Sequence, residues 1–400
     1  MIYPLCKTIL HGRQGIADSP ILRRFCILRN DPFMLSLRFV STSSKQNPFV
    51  ASYLINTCGF SPEYASLASA SLASRRIRFK TPDRPDSVIA FFKKLGISKT
   101  QILSIIKKKP DLLVCDIEKT LMPKIEFLYS RDVSSSDLAR ILCANPHLLG
   151  RSLENCLIPS FNFFSTLFLS DKMAVEAIKR FPRMLTMHLE DALLPNIDIL
   201  RGTGVSESNF LNVFRLRPRT FYVAPDAFKQ IVEQVQKMGL HPSTMNFVLA
   251  ICVLRSISRS HWEKKVDIYK KLGWSKEDVF RAFRLHPFCM LSSRDKIMCV
   301  MDFLVNKMGF QPSDVAKNTS VIKMSLEKRI IPRGLFAQDL LSKGLIQNFN
   351  LQALFYTSEK AFLQKFVNCH QEKASELLKL YEQKLGLPRL RVGEHFVGCV

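Results

Sequence analysis

The chain has 400 residues, 47% of them hydrophobic, which is enough apolar material for a large packed core and too much for a chain that stays disordered. Its 58 Lys and Arg outnumber 34 Asp and Glu, and a formal charge of +24 repels itself unless nucleic acid or another anionic surface neutralises it part of the time. The longest apolar stretches, near Phe161 to Leu169 and Met245 to Leu254, are shorter than the roughly 20 residues of a spanning helix, so no membrane insertion is expected.

Residues 1 to 60 carry Lys7, Arg13, Arg23, Arg24, Arg29, Arg38 and Lys45 against only Asp18 and Asp31. With Ile21, Leu22, Phe25, Ile27 and Leu28 interspersed, this composition is of the kind that can form a basic amphipathic helix, the physical signature of an organelle transit peptide. Arg38-Phe39-Val40 before Ser41 to Ser44 resembles a mitochondrial processing site. Residues 1–40 are therefore expected to address the chain to the mitochondrion, with the chloroplast as the alternative, and 41–59 to form a linker. The eleven cysteines lack a C-x-x-C pair or a nearby His at zinc-ligand spacing, so they are expected to be reduced core residues.

From there a repeat dominates. Pro110, Pro146, Pro182 and Pro218 are 36 residues apart, and Pro287 and Thr319 continue the frame. An apolar residue stands four before each (Ile106, Leu142, Ile178, Phe214, Phe283, Val315) and another three after (Leu113, Leu149, Leu185, Phe221, Met290, Ile322). An acid follows at the eighth position: Glu118, Glu154, Glu190, Asp226, Asp295 and Glu327.

A second proline, at Pro123, Pro159, Pro195 and Pro332, is predicted to open a helix, because the first turn has no use for the missing N–H. That helix is expected to end at glycine, as in Lys94-Leu95-Gly96, Lys237-Met238-Gly239, Lys271-Leu272-Gly273 and Lys307-Met308-Gly309. Ser98, Ser206, Ser243, Ser275 and Ser313 are then placed to cap the next helix, with Gln101 and Asp278 completing capping boxes. The following marker proline stops that second helix, and a short third segment such as Ser152-Leu153-Glu154 leads on.

Two helices and a short third segment cannot enclose a core alone, so the prediction is an all-α superhelical solenoid of about eight tandem repeats over residues 60–345. Residues 346–400, with an amphipathic segment Ala374 to Leu385, would form a helical cap or a tail.

Pro146-His147-Leu148-Leu149 with Ser152-Leu153-Glu154, and the closing Ser325-Leu326-Glu327-Lys328-Arg329-Ile330-Ile331-Pro332-Arg333, resemble the mitochondrial transcription termination factor family of plants. The resemblance covers roughly residues 60 to 345. It implies an organelle-targeted superhelix that binds nucleic acid in a basic groove and acts in transcription initiation or termination, or in intron splicing and other RNA steps. It carries no catalytic site.

Phosphate binding needs cations repeated along one surface, since each one placed on a phosphate releases a counterion. The residues expected to contact nucleic acid are Lys107, Lys108, Lys179, Arg180, Arg183, Arg215, Arg217, Arg219 and Arg284 around the marker prolines, with Lys328, Arg329 and Arg333 in the last repeat. Cations in the last turn of a helix are also favoured by its exposed carbonyls, which is the plain structural alternative for any one of them. Tyr222, beside the Arg215 to Arg219 cluster, is a candidate for stacking on a base, whereas Phe221 sits at a core position. The histidines lack a paired nucleophile or carboxylate, and there is no P-loop, dinucleotide glycine pattern or metal-ligand cluster. The expected function is that of a monomeric, cofactor-free, non-enzymatic regulator of organelle transcription, termination included, bound to double-stranded DNA. The alternatives are an RNA-binding factor in splicing or processing, and an α-solenoid scaffold for a protein partner.

Overall fold

A computed structural model describes residues 48–386. The expected transit peptide lies outside these residues. Among the described residues the secondary structure is helical throughout, without a strand, in the tandem order the repeat predicts. The chain forms two compact units, one running to His188 and taking in Arg215–Pro218, the other made of Leu189–Phe214 and the chain from Arg219 onward.

Each marker proline opens a short 3-10 turn, at Pro110–Val114, Pro146–Gly150, Pro182–Leu185, Pro218–Phe221 and Pro287–Leu291. The residue before a proline is pushed out of the α region, and Lys109, Asn145, Phe181 and His286 share one conformation, with φ from −141 to −146° and ψ from 74 to 79°. Where Thr319 replaces the proline, Asn318 relaxes to φ −112° and ψ 40°, yet the turn Thr319–Lys323 still forms. The turn therefore survives on packing. Leu113, Leu149, Leu185, Phe221, Met290 and Ile322 are fully buried, as are Ile106, Leu142, Phe214, Phe283 and Val315 on the preceding helices. Each such side chain is worth roughly 1.5–3 kcal/mol on burial.

The second proline stands in the first turn of an α-helix, as expected, at Pro123, Pro159, Pro195 and Pro332, but the helical chain begins one turn earlier. Asp116, Ser152 and Ser325 cap the chain earlier, accepting hydrogen bonds from the N–H of Lys119 (2.8 Å), Asn155 (3.1 Å) and Lys328 (3.1 Å). One wide π turn follows, in which Leu121, Leu157 and Ile330 bond back five residues to Asp116, Ser152 and Ser325 at 3.2, 3.1 and 3.0 Å. The α-helices Met122–Tyr129, Ile158–Phe168 and Ile331–Ser342 continue from it without a break. A proline inside a regular helix clashes with the carbonyl four residues back, and the widened turn removes that clash. The eighth-position acids lie in the first turn of these helices, exposed, where the helix dipole favours them.

Gly96, Gly239, Gly273 and Gly309 take φ of +78, +81, +88 and +76°, the left-handed conformation that ends the first helix of a repeat. Ser98 and Ser275 make full capping boxes with Gln101 and Asp278, and Ser206 caps through the N–H of Asn209. Two expected caps shift. Thr244, not Ser243, accepts from the N–H of Phe247 at 3.3 Å, and Ser313 lies inside the helix Pro312–Lys317. Thr244→Ala is expected to lower stability to urea by about 1 kcal/mol and Ser243→Ala by less than half of that; equal losses would reassign the cap.

Within the repeats, the first helix receives the next 3-10 turn, as Asp83–Lys94 receives Pro110–Val114 and Ile158–Phe168 receives Pro182–Leu185. Second helices stack on one another, Lys99–Lys108 on Ser135–Ala144 and Ser135–Ala144 on Asp171–Arg180. The stretch read as a linker contains the helix Pro48–Asn56, which packs on Pro62–Ser74 and buries Val50, Tyr53 and Leu54. At the other end Ala374–Leu385 packs on Ile331–Ser342 and buries Leu377 and Tyr381, so the described part of the carboxyl-terminal segment is a packed cap. Of the described cysteines, Cys58, Cys252 and Cys289 are buried, Cys369 is exposed, and none is in a disulfide.

Candidate nucleic-acid interface

The cations around the marker turns divide into two groups. In the first group, Lys108, Lys179, Arg215 and Arg284, the side chain meets an acid or a carbonyl, mostly on a neighbouring helix. Lys179 pairs with Asp137 one repeat back at 2.5 Å, and Arg215 pairs with Glu176 at 3.1 Å. Arg284 reaches Glu277 at 2.6 Å and the Met238 carbonyl at 3.5 Å. Lys108 donates to the Cys143 carbonyl in the next repeat. The hydrogen bond from Lys179 holds the Asp137 carboxyl below the usual carboxylate range. Apart from Arg284–Glu277, which lies within one helix, these are partly exposed links between helices, and Asp137, Glu176 and Glu277 are the site residues that sequence reasoning missed. For Asp137 and Glu176 the signal was an acid on a second helix with a cation about one repeat later, whereas Glu277 and Arg284 share one helix.

The second group faces solvent. Lys107, an exposed residue, lies with its ammonium 5.3 Å from the Tyr64 ring centroid, and Arg180 donates to the Glu176 carbonyl of its own helix. Arg183, Arg217 and Arg219 are exposed on or beside their 3-10 turns, and Lys328 is exposed at the start of the last repeat's first helix. The first unit thus presents Lys107, Arg180, Arg183 and Arg217, and the second presents Arg219 and Lys328.

Arg333 is a correction. It is fully buried, and its guanidinium donates to the carbonyls of Leu354 (2.8 Å) and Thr357 (3.0 Å) and to Glu359 (2.6 Å), 4.3 Å over the Phe362 ring. No phosphate can reach it. Although burial opposes it, the hydrogen bonds from Arg333 and Tyr381 hold the Glu359 carboxyl below its ordinary range. Arg329 also turns inward, donating to the Thr357 carbonyl at 3.0 Å.

The reason lies in the repeat. The residue after the second proline is a buried donor in other repeats too: Lys124 donates to the Leu149 carbonyl at 2.7 Å, and Asn196 to those of Phe221 and Val223 at 2.9 and 2.8 Å. Each satisfies carbonyls at the end of the next repeat's turn, which would otherwise be buried without partners. Burial lowers the pKa of Lys124, as expected for an ammonium taken out of water. Arg333 is the last of this series, and it fastens residues 351–359 as the earlier donors fasten a following repeat.

Tyr222 is a second correction. It is 8% exposed, burial pushes its hydroxyl pKa up, and it offers no face to a base. Phe221 packs edge-on against Phe210 and Phe214 at 5.2 and 5.5 Å, in the core as expected. Among the described residues no helix is long and apolar enough to cross a membrane, and no three His, Cys, Asp or Glu side chains gather as a metal site.

Stacked helix pairs and proline-opened turns, with exposed cations on or near several of them, define a tandem helical-repeat protein. The mTERF family model matches residues 89–253 and 248–363, well over half of the chain. The chain belongs to the mTERF family, whose members are nucleic-acid-binding regulators of organelle gene expression rather than enzymes. A comparison with curated proteins found no match.

Proposed function

We propose that this mTERF protein regulates organelle transcription, termination included, by binding double-stranded DNA through its phosphates. The observation that carries this reading is the exposed set Lys107, Arg180, Arg183, Arg217, Arg219 and Lys328, five of them within three residues of a marker turn, in a chain of formal charge +24. Cations clustered around several marker turns meet several phosphates, and the affinity comes from counterion release. The packing of Phe221 and Tyr222 supports backbone contact over stacking on unpaired bases, which favours a duplex. Organelle RNA is the second reading, because the same cations serve its phosphates. The basic amino-terminal sequence supports a mitochondrial address.

The test is binding of a duplex DNA and of an RNA of equal length across salt concentrations. With six phosphates engaged, affinity for the true partner is expected to fall by about 10³ between 50 and 200 mM salt. Binding that is absent at 50 mM, or indifferent to salt, would reject the proposal. Tighter binding to RNA than to DNA would move the function to RNA metabolism.

A further inference from the structure

The acids that face the cation series are not what stacks the repeats. In the first unit Asp137 and Glu176 hold Lys179 and Arg215 with side chains that keep 15, 33, 26 and 30% of their exposure, respectively. These ion pairs are partly buried but keep some access to water, and pairs of this kind contribute modestly to stability. The stacking of these helices rests instead on Leu138, Ile141, Leu142, Ala174, Ala177 and Ile178, all of them buried. Arg140, 64% exposed, also leans on Asp137 at 2.6 Å, so that one carboxylate restrains two cations.

We propose that Asp137 and Glu176 are built-in competitors for nucleic-acid phosphate. They hold Lys179, Arg140 and Arg215 in reserve, and these cations change partner from carboxylate to phosphate when nucleic acid binds. The inference rests on the proposed function and deepens it by naming which cations reach phosphate only on binding. A phosphate diester offers the same charge and oxygen chemistry as the carboxylate, and the exchange is driven by the counterions that leave the nucleic acid. The consequence is a threshold: weak or isolated anions leave the pairs closed, and only a continuous phosphate track opens several together. Glu277, which is 63% exposed and pairs with Arg284 in the second unit, is placed to act in the same way.

The full chain carrying D137N and E176Q is compared with the unchanged protein for binding to a 30-base-pair duplex at 100 mM salt, with thermal unfolding measured on both. Removing the competitors is expected to tighten binding on the order of tenfold and to steepen the slope of log affinity against log salt by about 1–2. Adding K179Q and R215Q should abolish the gain. The control, E118Q with E154Q, makes the same change in net charge at the exposed starts of two first helices and should leave affinity within about twofold. A gain in the control as large as in the test pair would mean net charge alone acts, and would overturn the inference. Unchanged or weaker binding by folded D137N/E176Q, while the unchanged protein binds, overturns the inference and leaves the proposed function standing. If the unchanged protein binds neither DNA nor RNA at 50 mM salt, both fall. Should the double variant not fold, E277Q alone carries the decision, with about threefold tightening expected and no tightening overturning the idea.

Discussion

Arg333→Met is expected to cost about 3–5 kcal/mol in urea unfolding, the range for breaking a buried, hydrogen-bonded ion pair from one side. The guanidinium joins the last repeat to the carboxyl-terminal segment through two carbonyls, one carboxylate and the face of Phe362. Glu359 is 56% exposed and can recover water, so the loss arises chiefly from the carbonyls of Leu354 and Thr357 and from the vacated stack. Lysine at this position keeps the charge without the planar fork, and Arg333→Lys is expected to restore less than half of the loss. Limited proteolysis should cut the variant first between residues 343 and 386. Nucleic-acid affinity measured well below the unfolding transition should not change. A variant as stable as the unchanged chain but defective in binding would return Arg333 to the interface.

Charge reversal of Lys107, Arg180 and Arg183 together is expected to do the opposite, weakening duplex binding by on the order of 10²–10³ at 100 mM salt while stability changes little. Each phosphate left without its cation removes about 0.9 from the salt slope, so three should lower it by nearly 3. These side chains pair with no acid among the described residues, and their removal leaves no buried group without a partner. Weaker affinity with an unchanged slope would mean that the substitutions distort the surface rather than vacate phosphates.

The two variants separate residues that look identical in sequence. Arg333 and Arg183 each follow a proline in a repeat, and both were expected to touch nucleic acid. Arg183 follows the marker proline on an exposed 3-10 turn, whereas Arg333 follows the second proline on a helix face covered by the next segment. The distinction was present in the sequence only as a series, Lys124, Asn196 and Arg333, whose members share a donor and not a charge. The linker prediction missed the helix Pro48–Asn56 because that segment has neither the marker proline nor the phase of the later repeats.

What the sequence by itself determined is the local geometry of the repeat. A proline excludes the α conformation in the residue before it, glycine admits positive φ after a helix, and serine or aspartate satisfies free N–H groups, whatever lies nearby. The turns at Pro110, Pro146, Pro182 and Pro287, the glycine ends and the buried third-position residues follow from those constraints together with apolar spacing. The start of the first helix escaped them, because a widened turn lets Pro123, Pro159 and Pro332 stand beyond the true amino terminus. The fate of each cation was decided by tertiary structure alone. Lysine or arginine in the last turn of a helix has the same local energy whether it faces water or a neighbour's carboxylate, and its long stem reaches either. Which one it meets depends on the helix one repeat away, about 36–42 residues distant in sequence, and only stacking brings Asp137 to Lys179 and Glu176 to Arg215.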